Sequence, residues 1–171
     1  MFRRMLMLAA VAAFAAPATA RGQTVSESLQ GLYEITRDNV IASAQLLDEE
    51  LYSFRPTEEV RSMGELFAHL ANSQYAFCSA AAGERNPATE NFEGRRNTKT
   101  SILEALEAGF GYCDGVFAGM TDARGAEPVQ FFTGPNTVFG VLAFNAAHNY
   151  EHYGNLVTYM RINGIVPPSS R

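Results

Sequence analysis

Apolar residues recur with a period near 3.6 in four stretches of the chain, the spacing that lines one face of an α-helix. In the first, residues 26 to about 52, the stripe is Leu29, Leu32, Tyr33, Ile35, Val40, Ile41, Ala44, Leu47 and Leu51. Ser26 is a suitable N-cap, and Arg55-Pro56 ends the helix because a residue before proline avoids the α region. The second opens on Ser62-Met63-Gly64-Glu65, a capping box in which hydroxyl and carboxylate satisfy free amides of the first turn. Leu66, His69, Leu70, Ser73, Phe77 and Ala80 then share a face, and Gly83 supplies a C-cap. A polar connection containing Asn86-Pro87 follows, over residues 84–99.

The third stretch runs from about residue 100 to 120 on Ile102, Leu103, Leu106, Phe110, Cys113 and Phe117. Gly109, Gly111, Gly115 and Gly119 weaken it by about 0.5–1 kcal/mol each relative to Ala, and in return permit a close helix neighbour. Within the next connection, residues 122–136, Val129-Gln130-Phe131-Phe132 reads as a short extended piece. The fourth helix covers about 137 to 163, closed by Gly164 and stopped by Pro167-Pro168. The pattern is all-α.

The first twenty residues follow a different rule. Arg3 and Arg4 precede an unbroken apolar run from Met5 to Ala16, and Ala18-Thr19-Ala20 offers a small-x-small cleavage site. This is the pattern of a secretory signal peptide, too short to span a bilayer comfortably. The expectation is an exported protein, periplasmic or secreted, with its mature chain starting near Arg21 and no stable membrane insertion afterwards. About 150 residues remain, one ordinary domain able to bury its own core. The mature chain has 11 basic and 18 acidic residues, a net charge near −7. That balance argues against nucleic acid, whose phosphates require a basic face, and against anionic lipid.

The chemistry concentrates in Asn145-Ala146-Ala147-His148-Asn149-Tyr150-Glu151-His152-Tyr153-Gly154-Asn155. His148 and His152 stand one helical turn apart on one face, a ready pair of imidazole ligands for a divalent transition metal. On a helical wheel Val141, Asn145, His148, His152, Leu156 and Tyr159 fall within roughly 80°, so the histidines sit on the inward stripe. The third and last histidine, His69, lies on the inward face of the second helix. Packing these two helices face to face brings all three together. The bland alternative is a set of ordinary buried histidines.

His148-x-x-Glu151-His152 also matches the inverted zinc-peptidase pattern. That reading fails because it needs a downstream carboxylate, and none of the 19 residues after His152 is Asp or Glu. A serine hydrolase is not indicated, since the G-x-S-x-G pattern is absent. Tyr153 and Tyr159 read as packing residues; Asn145 and Asn155 either line a metal pocket or bond the backbone.

The chain resembles the DinB-like (damage-inducible) metal-binding four-helix-bundle proteins. The resemblance is carried by Gly64-Glu65-Leu66-Phe67-Ala68-His69, by residues 75–84, by Gly111-Tyr112-Cys113-Asp114, by residues 159–170, and most specifically by His148-Asn149-Tyr150-Glu151-His152-Tyr153-Gly154. It implies an up-down-down-up bundle holding one divalent metal, zinc or nickel, on one His from the second helix and two from the fourth. His69, His148 and His152 match those positions. Characterised members of the family include thiol transferases that use bacillithiol or mycothiol, and a maleylpyruvate isomerase. The leader is a departure, because those thiols belong to the reducing cytosol. The family's parallel second and third helices would place Cys78 and Cys113 at similar heights, as a disulfide in an oxidising compartment or as two buried thiols.

Two functions follow as expectations. One is a metal-dependent hydrolase or transferase acting on a small molecule, with Glu151 as the acidic residue beside the metal, either orienting a ligand imidazole or accepting a proton. The other is a non-catalytic metal-binding or partner-binding bundle. A homodimer is left open in both.

Overall fold

The structure, a computed structural model, describes residues 22–171; the expected signal peptide, residues 1–20, lies outside them. Helix α1 spans Val25–Leu46, α2 Met63–Ala82, α3 Lys99–Ala118, α4 the single turn Asp122–Gly125, and α5 Val138–Ile162. A two-stranded hairpin, β1 Pro128–Phe131 and β2 Gly134–Thr137, joins α4 to α5. Short 3₁₀ turns cover Glu49–Ser53 and Pro168–Ser170.

Each long helix begins where a hydroxyl can accept from the first turn. Ser62 and Glu65 form the expected capping box of α2, and Gly83 ends that helix in the left-handed region at φ 72°. At α1 the N-cap is Thr24, not Ser26: Thr24 accepts from the Glu27 amide, and the Glu27 carboxylate accepts from the Thr24 amide. Thr24-x-x-Glu27 satisfies two orphan amides, which Ser26 could not do.

Helix α1 also stops at Leu46, before the apolar stripe runs out. Lys99 Nζ, from the start of α3, donates to the carbonyls of Gln45 at 3.0 Å and Leu47 at 2.6 Å, meeting helix-end carbonyls that lack partners. The chain then turns in the 3₁₀ segment, and the Tyr52 hydroxyl donates back to Ala44 O at 2.8 Å. Leu51 and Tyr52 therefore reach the core from a 3₁₀ turn and not from an extension of α1.

The second connection is more structured than one extended piece. Val129 pairs with Asn136 and Phe131 with Gly134, leaving Phe132 and Thr133 as a two-residue turn. Gly134 has φ 114°, a conformation that disfavours any side chain there.

The four long helices run up, down, down, up. Helix α1 is antiparallel to α3: the Tyr33 hydroxyl meets Asp114 near one end and Gln45 meets Glu107 near the other. Helices α2 and α3 run parallel and are tied by a Cys78–Cys113 disulfide, with Cα atoms 5.4 Å apart. They approach closely at Gly109, where an added Cβ would lie 3.0 Å from Ala71 O. At Gly111 and Gly115 there is open space, so close packing explains only one of these three glycines. Helix α5 is antiparallel to α2. Asp122 accepts from the Ser26 amide at 2.8 Å, placing the start of α1 beside α4. Phe67, Leu70, Leu106, Phe110, Leu156 and Met160 are fully enclosed between the helices. Among the described residues, no helix is long and apolar enough to cross a membrane.

Candidate metal centre

His69 lies two turns into α2, and His148 and His152 lie in the middle of α5. Their antiparallel packing brings the three rings together. His148 Nε2 is 3.2 Å from His69 Nε2 and 3.1 Å from His152 Nε2, and all three ligand atoms lie within 4.8 Å of one another. Three nitrogens about 2.0–2.1 Å from one ion would sit about 2.9–3.4 Å apart in octahedral or tetrahedral geometry. A proton on His148 Nε2 can serve only one of its two neighbours, whereas a cation serves all three lone pairs. The three-His cluster can hold a metal.

Burial favours the neutral form of the rings, the form a ligand requires. Burial lowers the pKa of all three histidines from the ordinary value. His148, the central ring, is lowered to about 3, first by burial and then by the positive charge that His152 and His69 would carry. The Nδ1 atoms of His148 and His152 are buried without hydrogen-bond partners among the described residues.

His69 is held from behind. Its Nδ1 donates to Glu93 Oε2 at 3.0 Å, which directs Nε2 and its lone pair at the cluster. Glu93 accepts in turn from Arg61 Nε at 2.7 Å. The segment carrying Glu93 is fastened to α2 one turn further on: the Phe92 amide donates to Asn72 Oδ1, and the buried Phe92 ring packs against Tyr75. Sequence periodicity missed Glu93 because it sits in an irregular connection. Its only signal was a carboxylate beside a lone apolar residue in a polar stretch.

Below the histidines a closed ring of amides joins α2 to α5. Gln74 Nε2 donates to Asn149 Oδ1 at 2.7 Å, Asn149 Nδ2 to Asn145 Oδ1 at 3.2 Å, and Asn145 Nδ2 to Gln74 Oε1 at 2.9 Å. All three side chains are fully buried. Asn145, expected either at the metal pocket or on the backbone, belongs to this ring.

Glu151 is exposed and makes no hydrogen bond or ion pair among the described residues, although its charge acts on His69 and His152. It lines a polar cavity of about 600 Å³ together with His152, Asn155 and Tyr159. Both tyrosines are buried: Tyr159, on the wall of this cavity, packs edge-on against Phe54, and the Tyr153 hydroxyl donates to Ser169. A second, apolar cavity opens on the flank formed by His69 and His148.

The fold and site can be set beside known proteins. A DinB-like protein from Bacillus cereus superposes with a TM-score of 0.71 at 17% identity, over 85% of this chain and 97% of that one. A DinB-like protein from Bacillus subtilis gives 0.64 at 20% identity, over 80% and 92%. A mycothiol-dependent maleylpyruvate isomerase gives 0.64 at 16% identity; 77% of this chain is covered, but only 60% of the isomerase. A search of curated proteins finds no match. The DinB superfamily profile matches residues 32–156, from within α1 to the last third of α5 and including all three histidines. The chain belongs to the DinB superfamily.

Proposed function

We propose that this protein is an exported metalloenzyme, a hydrolase or transferase of small molecules, in which His69, His148 and His152 hold one divalent transition ion, zinc or nickel. The observation that carries the reading is the convergence of three imidazole Nε2 atoms, His148 lying 3.1–3.2 Å from the other two, between two solvent-open cavities. Three protein ligands leave positions free for a substrate, unlike a closed four-ligand structural site. When bound, such an ion supplies Lewis-acid polarisation of a substrate donor group.

The protein's own groups divide the remaining work. Glu93 fixes the His69 tautomer, and Arg61 fixes Glu93. Glu151, at the mouth beside His152, accepts a proton from the reacting group. The polar cavity carries five carboxylates, Glu58, Glu59, Glu65, Glu93 and Glu151, against the guanidinium groups of Arg55 and Arg61. That balance favours a neutral or cationic substrate over an anionic one. Export is supported by the Cys78–Cys113 bridge, since such bonds persist in oxidising compartments.

The test begins with metal analysis of mature protein purified without a histidine tag. One equivalent is expected, lost in His148→Ala/His152→Ala. A screen of esters, phosphoesters, amides and thiol acceptors follows, with Glu151→Gln as comparison. Full loading with no turnover would replace this reading by a non-catalytic metal-binding bundle.

A further inference from the structure

The two cavities flanking the histidines are chemically opposite. The one beside His69 and His148, about 320 Å³, has no Lys, Arg, Asp or Glu on its walls. Three phenylalanines from three different elements line it: Phe77 of α2, Phe144 of α5, and Phe132 at the hairpin turn. Three of the ring pairs meet edge to face, while Phe77 and Phe132 lie nearly parallel, 6.1 Å apart at 22°. Phe77 and Phe144 are 5.3 Å apart at 86°, Phe132 and Phe144 5.5 Å at 80°, and Phe77 and His148 5.2 Å at 89°. The polar groups on these walls are already engaged: Ser73 Oγ donates to His69 O, and Asn72 is tied to Asn91 and Phe92. Phe132 is 72% exposed, an unfavourable place for a large apolar ring unless something covers it.

We propose that this cavity is a recognition subsite for an aryl group, and that the substrate of the metal centre is a small aromatic molecule whose adjoining donor atom faces His69 and His148. The proposal rests on the metal-centre reading above and adds the substrate class. The volume suits one substituted ring rather than a peptide segment. Aromatic walls offer a flat guest the offset and edge-to-face contacts that such rings prefer. The uncharged lining selects a neutral group for this flank, while the acidic cavity beyond His152 leaves room for a polar or cationic remainder. The hairpin thereby gains a role: its two-residue turn carries Phe132 to the cavity mouth.

The test uses zinc-loaded mature protein, calorimetric titration and two probes with one metal-directed head, benzohydroxamate and acetohydroxamate. The expected result is at least about tenfold tighter binding of the aryl probe, the size of gain one well-packed ring supplies. That preference should fall to about twofold in Phe132→Ala/Phe144→Ala, whose zinc content should be unchanged; both side chains are partly exposed, so the fold should survive. Equal affinity of the two probes for the zinc-loaded protein overturns the subsite. So does concentration-dependent self-association abolished by Phe132→Ala, which would assign the exposed ring to a protein contact. Failure to retain zinc overturns the metal reading separately. Benzyl alcohol then decides the cavity: saturable shifts of the Phe77, Phe132 and Phe144 ring resonances uphold aryl recognition, and their absence overturns it.

Discussion

Glu93 accepts a hydrogen bond from His69 Nδ1 across 24 residues of sequence, while Glu151, next to His152 in the chain, bonds to no histidine. Proximity in sequence and proximity in the site thus name different carboxylates. Glu93→Ala is expected to weaken metal affinity about 10–100-fold, the usual cost of losing a group that orients a ligand imidazole. Glu151→Gln should leave affinity within about twofold. Competition titration with a chromogenic chelator separates the two, and the reverse ranking would return the orienting role to Glu151.

Metal binding should persist to lower pH than free histidine would allow. An unperturbed imidazole with a pKa near 6.5 would begin to lose its metal below about pH 6. Burial lowers all three histidines, His148 to about 3, so protons compete less well for these nitrogens. Metal retained at pH 5.5, measured by equilibrium dialysis, is the expected outcome; half-release near pH 6.5 would show that the rings are not desolvated.

The same shifts act on the metal-free protein. A lowered pKa means that the folded state binds fewer protons than the unfolded state. Stability is therefore present above about pH 6.5 and is lost as pH falls toward the folded values. Urea unfolding of the chelated protein should give a lower midpoint at pH 5 than at pH 7.5. His148→Ala should flatten that dependence, and this range lies above the ordinary titration of the carboxylates. A midpoint independent of pH in this range would contradict the expectation.

The Cys78–Cys113 bridge closes a loop across 35 residues between parallel helices. In the chain-entropy account a loop of this length adds about 3–4 kcal/mol. Cys78→Ala/Cys113→Ala should lose stability of that order in urea titration. Alkylation of the native protein without reductant should add no label; two labelled thiols would show that the bridge is absent.

Removing one member of the amide ring leaves buried polar atoms without partners. Asn149→Ala deprives Asn145 Oδ1 of its donor and leaves Gln74 Nε2 only the longer bond to Leu70 O at 3.4 Å, and should cost about 1–3 kcal/mol. It should also reduce metal affinity, since the ring joins the helices that carry the histidines. Loss of stability with unchanged affinity would confine the ring to a structural role.

Much of this arrangement was legible in the sequence, and the exceptions share a cause. The long helices, the Ser62 capping box, Gly83 and the histidine face all follow from local spacing. The early end of α1 does not, because it depends on Lys99, about fifty residues away, meeting its last carbonyls. Phe132 and Glu93 were equally hidden. Their importance comes from where a hairpin and an irregular connection return to the bundle, and no periodicity records that return. The Asn145–Gln74–Asn149 ring was half visible: Asn145 stood out on the inward stripe, but its partner on α2 did not.

The three histidine nitrogens come from only two helices, so their spacing is a matter of axial alignment. Sliding α5 along α2 by one residue would displace two ligands by about 1.5 Å, against a tolerance of about 0.2 Å in metal–ligand distance. The Gln74–Asn145–Asn149 ring acts as a detent against that slide, since its three hydrogen bonds close only at one setting of the helices. If the cluster holds a metal, an ion of different radius would be accommodated by rotation of the imidazoles, with the helices acting as a fixed gauge.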